Sequence, residues 1–335
     1  MTNSNESQNI LLISLNAPYD GVGHAGGKIC NYYTKKLIAQ GNKVTIIASA
    51  EKDEEEKIIS DRNKYGYESY ILYRKDASFV EWSMSIIKRL CPLTFASGYV
   101  DKSYRRYVLN IVKKLYSNNS FEKMPDRIIC DWTDSVAMIY ELRRFFPRVD
   151  ITAIEQDVTF QSYQRFYKSE KNPLRKLFLY IIYHNIKEFE IKILNKCDYV
   201  KVFNFKDRIL LENKIPDSKL KQIAPYFDRF AEKKMYKSTD KNIIFYGAMY
   251  RRENYEAVIW FIENVFYKLD KSYKFYIIGN KPSLTLEKYR SNNVIITGFV
   301  QDISVYTENA LCFVAPLLHG AGIKVKVLEA FAMGL

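Results

Sequence analysis

No pair of cysteines in this chain is placed to form a bridge motif. Cys30, Cys91, Cys130, Cys197 and Cys312 are isolated, with no C-x-x-C spacing and no histidine set beside them for zinc, which excludes a disulfide framework and a zinc module. Unpaired thiols point to a reduced, cytosolic compartment. The first nine residues are polar and contain no lysine or arginine, and the apolar run Ile10–Leu15 is too short for a secretory signal core. That run reads as a buried strand. No stretch approaches the roughly 20 apolar residues of a membrane span; the best candidate, Leu177–Tyr183, is followed by His184, Asn185 and Lys187. Solenoid repeats and low-complexity tracts are also missing.

What is present is material for two cores. The chain has 335 residues, 47% of them hydrophobic and 27% charged, and this length and balance predict two globular domains. The net charge of +13 admits nucleic acid, anionic lipid or a sugar nucleotide as a partner. Nucleic acid is set aside, because no recognition motif accompanies the charge. Lysine and arginine lie beside tyrosine and phenylalanine at Lys102–Arg106, Arg143–Arg148 and Arg165–Lys176. Such a mixture suits either a peripheral contact with an anionic membrane or a plain solvated basic face.

Apolar run, turn and helix alternate along the first half. Strands are predicted at Ile10–Leu15, Lys43–Ala48, Tyr67–Tyr73, Arg127–Cys130, Asp150–Ile154 and Tyr199–Phe203. Helices are predicted over Lys28–Gln40, Phe79–Leu90, Tyr104–Tyr116 and Leu174–Leu194. This is the pattern of a doubly wound parallel α/β sheet. Residues 226–241 lose the pattern and fill with charge, so they are expected to link a first domain, 1–225, to a second, 242–335.

The most specific stretch comes last. A strand over Ala310–Ala315 leads into P-L-L-H-G-A-G-I-K-V-K-V-L-E-A-F-A-M-G-L, a glycine-bearing turn before an apolar-periodic helix. Backbone N–H groups at such a helix start form an anion site suited to phosphate. Glu329, on that helix, is placed to accept from sugar hydroxyls such as a ribose diol. Phosphate and ribose together suggest a nucleotide.

These residues, with F-Y-G-A-M-Y-R-R-E-N-Y-E-A-V-I-W-F (Phe245–Phe261), Y-I-I-G (Tyr276–Gly279) and V-I-I-T-G-F-V-Q-D-I (Val294–Ile303), resemble the donor-binding half of retaining GT-B glycosyltransferases of family 4. The resemblance covers Asn242–Leu335. It implies two Rossmann-like domains closing over a nucleoside-diphosphate sugar, and transfer to a glycan or lipid-linked acceptor with retention, without a metal or other cofactor. Surface polysaccharide or glycolipid assembly, in the cytoplasm or on the inner face of the membrane, is the implied setting.

The sequence departs from the family pattern at three places. Ala321 stands where the first of two glutamates is common, Gln156 stands where a histidine is common, and the chain stops at Met333-Gly334-Leu335, where members continue. An incomplete second domain is therefore expected. A non-catalytic partner subunit, a disrupted homologue and a GT-B sugar-nucleotide epimerase remain open beside the transferase.

The resemblance also distributes roles. Arg251, Arg252 and Lys324 would stabilise the leaving diphosphate, and Asp157 would stand beside the reacting sugar. Gly26, Gly27, Gln156, Gly247, His319, Gly322, Ile323, Val325 and Glu329 would line the donor. Each has a plainer alternative. Gly21–Gly27 is a weak dinucleotide motif and could be a flexible turn, Asp157 could cap a helix with Gln156 merely exposed, and the arginines, Lys324 and Glu329 could be solvated. His319 could have no role, and His184 reads as structural.

Overall fold

The computed structural model describes residues 7–74, 79–116, 124–224, 240–317 and 322–335. Two compact units emerge: Met1–Tyr226 with Ala321–Ile323, and Phe227–Gly320 with Lys324–Leu335. The expected linker, 226–241, lies outside the described residues up to position 239.

The first unit begins with β1 (Asn9–Ser14), α1 (Ala25–Ala39), β2 (Lys43–Ala50), α2 (Glu55–Tyr65) and β3 (Glu68–Tyr73), followed by α3 (Phe79–Arg89), α4 (Phe95–Tyr99) and α5 (Lys102–Tyr116). It continues through β4 (Arg127–Asp131), α6 (Thr133–Val136), α7 (Ile139–Phe145), β5 (Asp150–Glu155), α8 (Thr159–Ser169), α9 (Pro173–Leu194), β6 (Tyr199–Val202), α10 (Phe205–Leu211) and β7 (Leu220–Gln222). Its seven strands pair in parallel in the order β3-β2-β1-β4-β5-β6-β7. Parallel strands covered on both faces are near-continuous apolar runs, and Leu11, Ile13, Ile128 and Ile151 are fully buried at the sheet's centre.

The second unit contains β8 (Asn242–Tyr246), α11 (Arg252–Asn264), β9 (Lys274–Ile278), α12 (Leu284–Glu287), β10 (Val294–Gly298), α13 (Ser304–Thr307), β11 (Ala310–Phe313) and α14 (Val325–Ala332). Its four strands are parallel in the order β10-β9-β8-β11. No helix of the described residues is long and apolar enough to cross a membrane.

Several boundaries differ from the sequence expectation. Helix α1 starts at Ala25 rather than Lys28, because His24 caps it by accepting from the Gly27 N–H through Nδ1 at 3.0 Å. Gly26 and Gly27 are thus the first helical turn, not a loop. Helix α11 starts at Arg252 rather than Asn254. The last strand ends at Phe313, two residues early.

Each sheet reverses its winding once. In the first unit the chain moves outward from β1 through β2 to β3 and returns on the other side at β4; in the second it moves from β8 to β10 and returns at β11. Open α/β sheets place ligands beyond the carboxyl ends of the strands at such a reversal, which selects one edge in each unit.

Candidate functional site

At the first unit's edge, β1, β4 and β5 end in Ser14, Asp131 and Glu155-Gln156. Asp131 is buried, with one oxygen accepting from Gln156 Nε2 at 2.7 Å and the other from Ser14 Oγ at 3.1 Å. Burial pushes the Asp131 carboxyl up to about 6, while hydrogen bonds from Gln156, Ser14 and Cys30 pull it back. Gln156 is therefore buried, contrary to the exposed alternative, and its Oε1 is buried with no partner among the described residues. Both side chains line a cavity of about 20 Å³ beside Cys30 and Thr34, room for roughly one water molecule.

Asp157 follows at the strand end, half-buried. The N-cap position of α8 is Val158, which contributes no side-chain bond. Asp134 on α6 has its carboxyl pushed up to about 6 by burial, partly offset by the charges of Arg89 and Arg74. Trp132 joins β4 to α6 at φ 73°, a conformation costly for a bulky side chain. Its indole lies against Gly26, where any Cβ would overlap the ring. The glycine is needed for that close approach.

At the second unit's edge the residue that gathers the others is Lys326. Its Nζ donates to Asn254 Oδ1 at 2.7 Å and lies 4.8 Å from the centre of the Phe245 ring. A Cβ on Gly247, the residue after β8, would come within 2.6 Å of that ammonium, so the turn is open where the lysine enters it. Burial lowers Lys326 to about 8; the cations Arg251 and Lys324 push the same way, and Glu253 and Glu329 oppose them. Three positive groups thus converge near one buried carboxylate. An anion bound there would relieve their repulsion.

Glu329 is buried at the fifth position of α14, not solvated. The Tyr246 hydroxyl donates to the Lys326 carbonyl at 2.7 Å, tying β8 to the start of α14, and burial with the nearby Glu329 charge holds its pKa well above the ordinary tyrosine range. Val325 opens the helix and is buried, Lys324 holds the N-cap position, and Gly322 has φ 65°. Ile323 lies between them. His319 and Ala321 fall outside the described residues.

The two arginines are exposed. Arg251 pairs with Glu253 at 2.5 Å and Arg252 with Glu256 at 2.6 Å. Arg251 also acts on Lys326. His184 packs on Tyr180 and Tyr183, ring centres 4.3 and 4.9 Å away.

Lys326, Asn254 and Asp131 were not singled out by sequence reasoning. Asn254 interrupts the buried apolar face of α11 formed by Ala257, Val258, Phe261 and Ile262, and a polar residue in such a stripe is the signal that could have found it. Lys326 repeats Lys324 two positions on. Asp131 is an acid ending the apolar run R-I-I-C-D.

Comparison with known proteins follows the same division. The family model "Glycosyl transferases group 1" matches residues 240–335. No curated protein matches the sequence. Among solved structures, TarM is 11% identical with a TM-score of 0.65, covering 99% of this chain and 84% of that one. A variant of TarM from S. aureus, in complex with Fondaparinux, alpha-GlcNAc-glycerol and UDP, is 12% identical with a TM-score of 0.58, covering 91% of this chain and 80% of that one. UGT89C1 from Arabidopsis thaliana, complexed with UDP-L-rhamnose, is 12% identical with a TM-score of 0.50, covering 92% and 74%. At these identities the likeness shows the fold: two parallel-sheet α/β units of the GT-B type.

Proposed function

We propose that this chain is a glycosyltransferase that moves a sugar from a nucleoside-diphosphate sugar to an acceptor hydroxyl. The observation that carries the reading is the convergence of Lys326, Lys324 and Arg251 with Glu329 at the carboxyl edge of the second sheet, within the stretch matched by the group 1 family model. The cations suit a diphosphate whose charge grows as the sugar departs. Glu329 suits a ribose diol, and the start of α14, with Gly322, Ile323 and Val325, presents N–H groups to phosphate. Gly247 leaves room for Lys326, and His319 belongs to the same turn by sequence. The buried lysine replaces Arg252 as a principal phosphate contact in this reading, leaving Arg252 a supporting role.

In the first unit, Gln156, Asp157, Gly26 and Gly27 form the sugar and acceptor side. A glycan or lipid-linked acceptor, a hexosyl group, retention of configuration by family 4 chemistry without a metal, and a place in surface polysaccharide or glycolipid assembly complete the reading. The sequence resemblance supports these finer points. We further propose that the protein works in the cytoplasm with a peripheral hold on an anionic membrane. Val80, Met84 and Ile87 on α3, together with Leu93, are exposed, with Lys88 and Arg89 in the last turn of that helix. Leu174 and Leu177 are exposed at the start of α9 around Arg175 and Lys176.

The test is a screen of sugar nucleotides with the purified chain, following nucleoside diphosphate release and acceptor mass. Turnover of one donor class supports the reading. Tight nucleotide binding without turnover on any acceptor favours the non-catalytic partner, and interconversion of the donor sugar favours the epimerase. Failure of every nucleotide to bind overturns the proposal.

A further inference from the structure

Behind the turn that carries Gln156 and Asp157 lie two carboxyl groups that the proposed chemistry does not use. Glu155 ends β5, Glu190 sits near the end of α9, and both are fully buried. Glu190 accepts from the backbone N–H groups of Thr159 at 2.8 Å and Phe160 at 2.9 Å. These are the first two residues of α8, donors without an intrahelical acceptor. A glutamate thirty residues along the chain thus caps a helix whose own N-cap residue, Val158, cannot.

Thr133 binds the two acids together. Its Oγ1 donates to Glu155 Oε2 at 2.8 Å, is 3.3 Å from Glu190 Oε1 and lies 2.9 Å from Thr159 Oγ1. One hydroxyl proton cannot serve all three contacts at once. Glu155 Oε1 is buried with no donor facing it among the described residues, yet the side chain lies within hydrogen-bonding reach of Glu190. A carboxyl group with an oxygen that lacks a donor, set beside a second carboxylate, is satisfied if it carries a proton itself. Among the described residues, the other ionisable groups that act on the pair are Asp157, Tyr99 and Cys197, none of them a cation. Two buried like charges without a cation cannot both ionise at neutral pH.

We propose that Glu155 and Glu190 hold one proton between them and act as a positioning pair. Glu155 donates to Glu190, Glu190 fixes the start of α8, and the intervening Gln156–Val158 is thereby set at the ligand edge of the first sheet. This rests on the reading of that edge as the sugar and acceptor side. Burial, with the Asp157 charge, raises Glu190 to about 7 against the pull of the Phe160 and Thr159 N–H groups and of Glu155, and burial with the Glu190 charge raises Glu155 well above its ordinary range. The shared proton is therefore kept at neutral pH and given up in alkali, where the turn loses its support.

The experiment compares the parent chain with Glu155→Gln and Glu190→Gln by three readouts. These are the infrared carbonyl band of a buried protonated carboxylic acid, hydrogen exchange at Thr159 and Phe160, and kcat and KM for donor and acceptor against pH. The parent should show the band at neutral pH, and Glu155→Gln should abolish it. Glutamine at 155 keeps a donor facing Glu190, so this variant should retain α8 protection and neutral turnover while losing the parent's alkaline decline. Glu190→Gln should expose Thr159 and Phe160 by about tenfold or more in exchange and raise the acceptor KM more than the donor KM. If Glu190→Gln does not fold, Glu190→Asp, one methylene shorter, should show the same exposure to a smaller degree. A parent without the band, an alkaline decline unchanged in Glu155→Gln, or unchanged exchange in the Glu190 variants would overturn the pair. Should no sugar be transferred at all, the reading of function falls, while the band and the exchange rates still decide the pairing.

Discussion

Lys326 carries the sharpest expectation at the scale of single residues. Its ammonium is held by Asn254 and lowered to about 8 by burial and two neighbouring cations. A nucleoside diphosphate would favour the charged form, so affinity should be level below about pH 7 and weaken as pH rises past about 8, with proton uptake on binding in that range. Lys326→Met should remove this pH dependence and cost about 1.5–3 kcal/mol, the loss of one charge-assisted contact. Calorimetry with UDP and GDP in two buffers of different ionisation heat reads both effects. Arg252→Ala, which removes an exposed charge paired with Glu256, should change affinity far less; a larger loss for Arg252 than for Lys326 would reverse the assignment. Glu329→Ala should weaken sugar-nucleotide binding by a similar ~1.5–3 kcal/mol, and unchanged affinity for every donor that binds the parent would remove the ribose contact. The motif around Glu329 was legible because its residue types are local to one turn and one helix. Lys326 and Asn254 were not, because 72 positions separate them and only the folded sheet makes them partners.

At the scale of elements, α3 tests the membrane proposal. Val80, Met84 and Ile87 follow helical spacing on a face left exposed, and Lys88 in the last turn suits anionic headgroups. Replacing Val80, Met84 and Ile87 together with serine should reduce sedimentation with phosphatidylglycerol vesicles and leave nucleotide affinity intact, since α3 bears none of the proposed donor contacts. Equal sedimentation of parent and variant would end the idea. Six of the seven strands of the first sheet were readable at once, because parallel strands covered on both faces are plain apolar runs; β7, a three-residue edge strand with only Leu220 buried, was not. Helix starts were less so, for a physical reason. Helix α1 is capped by His24, a residue type not favoured there. Helix α11 starts behind Arg251, which makes no cap bond, and α8 takes its cap from Glu190 on another helix. Where a cap is unusual or distant, the local sequence does not announce the start.

For the whole molecule, these perturbed groups predict an unusual dependence of stability on pH. Asp131 and Asp134, raised to about 6, and the Glu155–Glu190 pair, which keeps its one proton at neutral pH, hold protons in the folded state at pH values where the unfolded chain has released them, above roughly 4. Each such group makes stability fall as pH rises from about 4 through its folded value, by up to ~1.4 kcal/mol per pH unit. Lys326 acts with the opposite sign. The folded chain gives up its proton near 8 while the unfolded chain keeps it to about 10.4, so stability should recover over that interval. Salt of about 0.15 M screens exposed charges beyond ~8 Å, which mutes the net charge of +13 and leaves the buried groups to set the profile. Scanning calorimetry should therefore find a melting temperature that drops between pH 5 and 7, passes a minimum near pH 7 to 8, and rises again, at about one to two pH units' resolution. Glu155→Gln should flatten the first slope and Lys326→Met the second, each without touching the other, because the two groups belong to different units. A melting temperature that climbs steadily from pH 5 to 8 in the parent would mean that the buried carboxyls ionise as ordinary ones do, and that the acids at the edge of the first sheet are charged where the structure buries them.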